Sequence, residues 1–225
     1  MHIVMSFPSE TPARRAARFE DVYRRRLWGA GTDDSPVSGP GSTLAWSENA
    51  RAALGDVIHD FAITSLLDAP CGDRTWIKAV DLARIRYTGV DIVPELIARH
   101  REHCADEQVR FEVMDVVEAV PAAHDLILCR HLLNHLCAGD VLRALANFSA
   151  SGSRWLLTTT FVGNCQGLFH PDSSPEASVP INLLEPPYSL PDPVRMYREG
   201  GHARDRQFLA LWKLPVSPPD SAFGA

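Results

Sequence analysis

The chain has 225 residues, 45% of them hydrophobic and 22% charged, the balance of a folded globular domain rather than of a disordered or fibrous chain. Its formal net charge of −6 disfavours a nucleic-acid backbone as the main partner, because phosphate contacts demand a surplus of Lys and Arg. No run reaches the roughly 18 uninterrupted apolar residues of a membrane helix, and residues 1–10 lack the basic-then-apolar order of a secretory leader.

Five cysteines, at 71, 104, 129, 137 and 165, form no CxxC pair and leave an odd thiol. That usage suits a reducing compartment, so a cytoplasmic protein is expected. No repeat or long low-complexity linker divides the sequence, which predicts one domain.

Residues 12–28 read as an amphipathic helix, with Ala16, Phe19, Val22, Tyr23 and Leu27 at i, i+3, i+4 spacing. Its arginines, Arg14, Arg15, Arg18 and Arg24 to Arg26, are expected to form a solvated face balanced by Glu20 and Asp21. A Gly-, Ser- and Pro-rich loop follows over 29–42 (GAGTDDSPVSGPGS), then a helix over 43–60. From there the pattern alternates: strand 65–69, helix 74–84, strand 87–91, helix 94–104, strands 109–114 and 125–129, helix 138–148 and strand 154–161. Short apolar strands separated by helices indicate a parallel sheet covered on both faces, an α/β fold. The stretch after Phe161 is irregular and proline-rich until a last strand at 207–214 (QFLALWKL), and 217–225 reads as a frayed tail.

An open parallel sheet binds its ligand beyond the carboxyl ends of its strands. The first strand ends in Asp68-Ala69-Pro70-Cys71-Gly72-Asp73, with one glycine and two carboxylates. A dinucleotide site wants GxGxxG there, with pyrophosphate on a helix N-terminus, and carboxylates repel pyrophosphate. They suit a ligand bearing positive charge, such as an ammonium or a sulfonium. The second strand ends in Asp91, placed to accept ribose hydroxyls, and the third in Met114-Asp115-Val116, where a carboxylate could hold an adenine amino group. The fourth ends in Cys129-Arg130-His131, just before Leu132-Leu133-Asn134-His135.

The runs LLDAPCGDRTW, YTGVDIVPELI, FEVMD and DLILCRHLLNHL together resemble the Rossmann-like class I methyltransferases, and most closely a bacterial subgroup whose first motif is D-A-P-C-G-D-x-x-W. The upstream FEDVYRRRLWG and SGPGST, and the downstream TTTF, Asn182-Leu183 and Pro186-Pro187-Tyr188, fit the same pattern. The resemblance implies a doubly wound, mostly parallel seven-stranded sheet with an N-terminal helical cap at 1–60, a cofactor-binding core at 61–161, and a substrate loop with the final strands at 162–225. It implies S-adenosylmethionine as cofactor, with Asp68 and Gly72 at its methionine end, Asp91 at the ribose, and Asp115 and Val116 at the adenine. Trp28, Gly39, Gly41 and Ser42 would belong to a cap over the cofactor, and Trp76 would pack the helix of the first loop. Ala69, Pro70, Ile92, Cys129 and Arg130 complete the expected cofactor set. His131 stands where relatives of this kind are expected to carry an aspartate.

Methyl transfer needs a held nucleophile and, for a protonated one, a base. His131 and His135 are the candidate bases, with Asn134 orienting the acceptor. Their i, i+4 spacing lacks the Glu of HExxH, and no metal is expected. Cys71 and Cys129 read as packing rather than as nucleophiles. The long segment after Phe161 is expected to cover the sheet as a binding loop, with Phe161, Asn164, Asn182, Glu185 and Tyr188, together with Glu20 and Tyr23, shaping the substrate site. The expected partner is a small methyl acceptor, either an arginine-like guanidino group met by pocket carboxylates such as Glu20, Asp21 or Glu185, or a hydroxyl met by a histidine. Nucleic acid and membrane are not expected, and the chain is expected to be a monomer or homodimer. A cofactor-binding protein without catalysis is the alternative, and a nicotinamide oxidoreductase is disfavoured by the absent GxGxxG.

Overall fold

The computed structural model describes residues 7–32, 34–104, 106–163, 167–199 and 206–216. Its sheet has seven strands: β1 (Ser65–Asp68), β2 (Arg86–Asp91), β3 (Val109–Val113), β4 (Leu126–Cys129), β5 (Trp155–Phe161), β6 (Arg195–Arg198) and β7 (Gln207–Lys213). They lie in the order β3-β2-β1-β4-β5-β7-β6. The first five pair in parallel, and β7 is antiparallel to both β5 and β6. Winding outward from β1 to β3 and then restarting at β4 puts the reversal of strand order between β1 and β4. Their carboxyl ends open the crevice in which such sheets bind ligands.

Successive residues of the central strands point to opposite faces, and both faces are buried. Leu67, Ile127 and Leu156 pack with Val141, Leu145 and Phe148 of α4 (Ala138–Ala150). Leu66, Leu126, Leu128 and Leu157 pack on the other side with Ala50, Leu54 and Val57 of α2 (Glu48–Asp60). This explains why β1 and β4 read as unbroken apolar runs.

Three sequence expectations need correction. The helix expected over 43–60 begins only at Glu48, because Ser47 turns back and its hydroxyl donates to the Thr43 carbonyl at 2.7 Å. The helix expected over 74–84 does not form: a single 3-10 turn spans Ile77–Ala79. Arg74 there has φ +62°, Asp73 accepts the Thr75 N–H at 3.0 Å, and the Arg74 guanidinium lies over the rings of Tyr87 and Phe111. A left-handed non-glycine residue with its neighbour in a side-chain turn cannot propagate a helix. The edge strand β6 carries no alternating apolar signal, since Arg195, Met196 and Arg198 are exposed, and went unread. The expected tail at 217–225 lies outside the described residues.

The N-terminal helix α1 (Pro12–Arg25) starts where Thr11 accepts the Arg14 N–H, with Pro12 at its first position, and stops where Arg26 turns left-handed at φ +54°. Its arginines split in two. Arg24 and Arg25 pair with Asp21 on the surface, as expected. Arg15 and Arg18 are instead buried and face inward. Arg15 reaches Asp115 at 2.7 Å, Glu118 at 2.6 Å and Asp140 at 3.1 Å, while Arg18 pairs with buried Glu10 at 2.7 Å and donates to the His135 carbonyl at 2.9 Å. The helix is thus pinned by charge to the end of β3, to α4 and to the turn after β4. Glu10, Cys137 and Asp140 cluster closely enough to hold an ion, but the two guanidiniums already occupy those carboxylates.

Removing one member of a buried ion network leaves uncompensated charge behind. Arg15→Met should therefore lower stability by about 3–5 kcal/mol in urea unfolding, whereas Arg24→Ala, on the exposed pair, should leave the midpoint unchanged.

Candidate active site

A cavity of about 210 Å³ opens at the carboxyl ends of β1, β2 and β4. Its floor is the loop after β1, which carries Asp68, Pro70, Gly72 and Asp73, together with Asp91 at the end of β2. Trp28 and residues 38–42 of the N-terminal segment roof it, and Arg130, His131, Asn134 and His135 form the wall after β4. A smaller hollow beside it is lined by Asp115, Val116 and Arg15, and the two share Phe19, Pro70, Asp91, Ile92 and Leu132.

The loop after β1 is held by backbone contacts that only this path allows. Cys71 N–H donates to the Val90 carbonyl at 2.8 Å, and Gly72 N–H to the Asp91 carboxylate at 3.2 Å. Gly72 has φ +53°, and a Cβ there would lie 2.5 Å from the Ser38 hydroxyl oxygen. Only glycine admits both that backbone and that approach. Ser38 and Asp73 clamp the roof to the floor reciprocally: Ser38 N–H donates to the Asp73 carboxylate at 3.0 Å, and Asp73 N–H to the Ser38 hydroxyl at 2.8 Å. The N–H groups of this loop are therefore used in tertiary contacts rather than presented by a helix N-terminus.

Two carboxyls dominate the floor. Asp68 is 1% exposed; burial pushes it up to about 7 even though the Tyr87 hydroxyl donates to it at 2.6 Å. Burial likewise pushes Asp91 up to about 6, against the N–H donors of Val93 and Gly72. Desolvation disfavours the charged form of each. A cationic ligand with hydroxyl donors relieves both, and this donor set fits the ammonium, sulfonium and ribose of S-adenosylmethionine.

The histidine wall is differently built. His135 sits 4.9 Å, centroid to centroid, from Trp28, and its Nδ1 lies 2.8 Å from the Ala177 carbonyl oxygen. Nδ1 must carry the proton to bond a carbonyl, so Nε2 holds the lone pair. Burial lowers this histidine to about 4 and keeps the ring neutral. Trp28 also donates from Nε1 to the Glu176 carbonyl at 3.0 Å, and Val179 N–H donates to the Asn134 carbonyl at 2.8 Å. Part of the long segment after β5 thereby closes over the cavity. His131, at φ +56°, is fixed by its N–H to the Thr159 hydroxyl at 3.2 Å.

Most residues singled out from sequence gather here: Trp28, Gly41, Ser42, Asp68, Pro70, Gly72, Trp76, Asp91, Ile92, Arg130, His131, Asn134 and His135 line the cavity, and so does Tyr23. Asp115 and Val116 line the adjoining hollow, where Asp115 is already bound by Arg15. Ala69 and Cys129 are fully buried behind the lining. The remaining substrate candidates are not brought to this cavity. Glu20 is exposed beside a separate groove shared with Arg24 and Arg26. Phe161 is half-buried at the end of β5, Asn182 is buried and accepts the Leu184 N–H, Glu185 is exposed, and Tyr188 is packed in the core. Asn164 lies outside the described residues. No local pattern points to Glu176 and Ser178, or to buried Glu199 behind His131, because their places depend on how the last third of the chain folds back.

Residues 66–151 match the family model described as a methyltransferase domain. No curated protein matches the chain. Among solved structures it is similar to 1,6-didemethyltoxoflavin-N1-methyltransferase of Burkholderia thailandensis, solved with 1,6-didemethyltoxoflavin and S-adenosylhomocysteine bound, at 19% identity and a TM-score of 0.65, covering 93% of each chain. It is similar to the N-methyltransferase NodS of Bradyrhizobium japonicum bound to S-adenosylhomocysteine, at 15% identity and a TM-score of 0.62, covering 87% of this chain and 99% of that one. The magnesium protoporphyrin IX methyltransferase of Synechocystis matches at 10% identity with a TM-score of 0.56, over 93% and 100% of the two chains. The chain therefore shares the fold of these methyltransferases, and residues 66–151 match a methyltransferase domain.

The Tyr87 hydroxyl favours the ionised form of Asp68. In Tyr87→Phe, the Asp68 carboxyl signal in a ¹³C NMR titration should move further above about 7; an unmoved signal would mean that burial alone sets it.

Proposed function

We propose that the protein methylates a nitrogen of a small, flat, neutral metabolite, and that the cavity between the Asp68–Asp91 floor and the His131–His135 wall holds both reactants. The observation that carries this reading is the pairing, in one cavity, of two buried carboxyls with a wall of Asn134, His135 and Trp28. When bound, S-adenosylmethionine supplies a methyl group whose carbon–sulfur bond breaks as the acceptor's lone pair takes the carbon, the electron pair staying on sulfur. The residues then divide the work. Asp68 takes the ammonium, Asp91 the ribose hydroxyls, and the hollow at Asp115 and Val116 the adenine. Gly41, Ser42 and Trp28 close the roof, and residues 1–60, 61–161 and 162–225 act as cap, cofactor core and substrate segment of one domain. Trp28 offers the acceptor a flat apolar wall, with His135 and Asn134 as polar contacts that orient it, and a histidine takes its proton. Holding the acceptor in line is the larger contribution, since alignment alone removes several kcal/mol of barrier.

The three carboxylates expected to meet a cationic acceptor lie elsewhere. Glu20 and Glu185 are exposed and away from the cavity, and Asp21 is committed to Arg24 and Arg25. A guanidinium would have no free carboxylate waiting for it among those three. A neutral N–H meets instead the lone pair of His135. The two similar enzymes named as N-methyltransferases favour nitrogen over oxygen.

Calorimetric titration with S-adenosylmethionine, S-adenosylhomocysteine and NADH tests the cofactor assignment, and transfer of labelled methyl to a panel of heterocyclic amines, phenols and arginine tests the acceptor. Binding of the first two alone and labelling of the amines is expected; labelling of arginine only would overturn the neutral-acceptor reading. Asp91→Ala should weaken cofactor binding by about 10- to 100-fold, the effect of losing hydrogen bonds to a charged group. Because Asp68 must ionise to meet a cation, affinity for S-adenosylmethionine should fall as pH drops below about 7, approaching tenfold per pH unit for one linked proton. Binding at pH 6 should release protons, seen as a buffer-dependent heat; a pH-independent affinity would remove Asp68 from the ammonium site.

A further inference from the structure

At about 210 Å³, with about 30 Å³ more in the adjoining hollow, the cavity falls short of the roughly 300–1,000 Å³ of sites that enclose drug-sized ligands. Two reactants need more room, so one of its boundaries must move. The floor is tied to strand ends through the Cys71 and Gly72 N–H groups, and the wall to β5 through the Thr159 hydroxyl. The roof is a single 3-10 turn, Pro40–Ser42, entered through Gly39 at φ +93° and followed by exposed residues 44–46.

The two ends of this roof are fastened unequally. Ser38 is held by its reciprocal bonds with Asp73 and by the Tyr23 hydroxyl at 3.1 Å. Among the described residues, 39–42 make one hydrogen bond outside the segment 36–43, from Arg130 Nη2 to the Gly41 carbonyl at 2.8 Å. Arg130 is itself 7% exposed. Its Nε donates to Glu199, which follows β6, at 2.5 Å, and its guanidinium lies 4.7 Å over the Trp76 ring. Burial pushes the Glu199 carboxyl up, but Arg130 and His131 outweigh burial and hold it well below the usual range, so it is ionised. A guanidinium gripped by a buried carboxylate and an aromatic face keeps one orientation, here with Nη2 aimed at the roof.

We propose that Arg130 is a positioning residue that latches the roof, and that the cofactor enters and leaves when its bond to Gly41 opens and residues 40–42 swing about Gly39. The proposal rests on reading this cavity as the cofactor site. A glycine at positive φ, between a firmly held end and a lightly held one, absorbs backbone rotation at little steric cost. Nε and Nη2 of Arg130 are committed to protein groups, which sets this side chain to hold the roof rather than the ligand. Glu199 comes from the last part of the chain, so strand pairing at the far edge of the sheet bears on cofactor exchange through one guanidinium.

A latch and a ligand contact differ in their kinetics. A bond made in both the free and the bound closed states holds back entry and exit alike. It cancels in the equilibrium constant, because affinity responds only to differences between states. A direct contact with the cofactor exists in the bound state alone, so its loss raises koff and Kd and leaves kon unchanged.

The test is stopped-flow binding of S-adenosylhomocysteine to the full chain, followed by the fluorescence of Trp28 and Trp76 in the cavity lining, together with amide hydrogen exchange of the free protein. In Arg130→Met, kon and koff should both rise about 10- to 100-fold, the effect of losing a hydrogen bond to a charged group, with Kd little changed. Exchange of the Ser42 and Thr43 amides, which close the turn, should quicken by a similar factor, while amides of β1 and β4 exchange as in the wild type. A raised Kd with unchanged kon would make Arg130 a cofactor ligand and overturn the proposal, and so would unchanged exchange at 42 and 43. Should Arg130→Met fail to fold because Glu199 is left buried without its cation, the double variant Arg130→Met, Glu199→Leu removes both charges and is read in the same way. No binding of S-adenosylhomocysteine to the wild type would remove the cofactor reading, whereas the exchange result decides the latch on its own.

Discussion

The burial of Arg15 among Asp115, Glu118 and Asp140 holds the N-terminal helix where the site needs it. The guanidinium side chain is 1% exposed, and it bridges the end of β3 to the start of α4 from a third element. Without that bridge three carboxylates would face each other near the sheet's carboxyl edge. With it, α1 lies across that edge and carries Phe19, Tyr23 and Trp28 to the cavity. Arg18 reinforces the arrangement by bonding the backbone of His135. A charge network away from the reacting atoms thus sets the roof of the site and steadies the turn bearing the histidines.

The floor and the wall of the cavity use burial in opposite ways. On the floor it raises Asp68 and Asp91, so the cofactor-free protein binds protons there that its unfolded chain does not. By linkage these two groups favour the folded state less as pH rises from about 4 toward 7, until a cation takes the proton's place. On the wall, burial lowers His135, which contributes in the other direction: the unfolded chain takes up that proton first as pH falls below about 6.5. Under the proposed function, the floor would receive positive charge and the wall would meet a neutral acceptor. That division matches a reaction in which a sulfonium meets an uncharged nucleophile.

Motif-bearing parts of the fold were legible because they are local. Leu66-Leu67-Asp68 and Leu126 to Cys129 are short apolar runs with informative ends, and strand and ligand residue come from the same few positions. The missing helix after Asp73 shows the limit of that reading. Its composition permits a helix, but the Ser38–Asp73 clamp and the stacking of Arg74 on Tyr87 and Phe111 are contacts between distant segments. The arginines of α1 make the same point. Spacing placed them on one helix, but only the approach of Glu10, Asp115 and Asp140 divides buried from solvated.

By itself the sequence determined the parallel sheet, the positions of Asp68, Asp91 and Asp115 at its strand ends, and the methyltransferase resemblance, because strand periodicity and strand-end motifs are properties of neighbouring residues. Only the tertiary structure decided which polar groups are paired. It joined Arg15 to Asp115 and Asp140, withdrew Asn182 and Tyr188 into the interior, left Glu185 on the surface, and set Glu199 behind His131. Those outcomes depend on segments from about 70 to 125 residues apart meeting in a low-dielectric interior, where an unpaired charge is costly and a paired one is fixed in place.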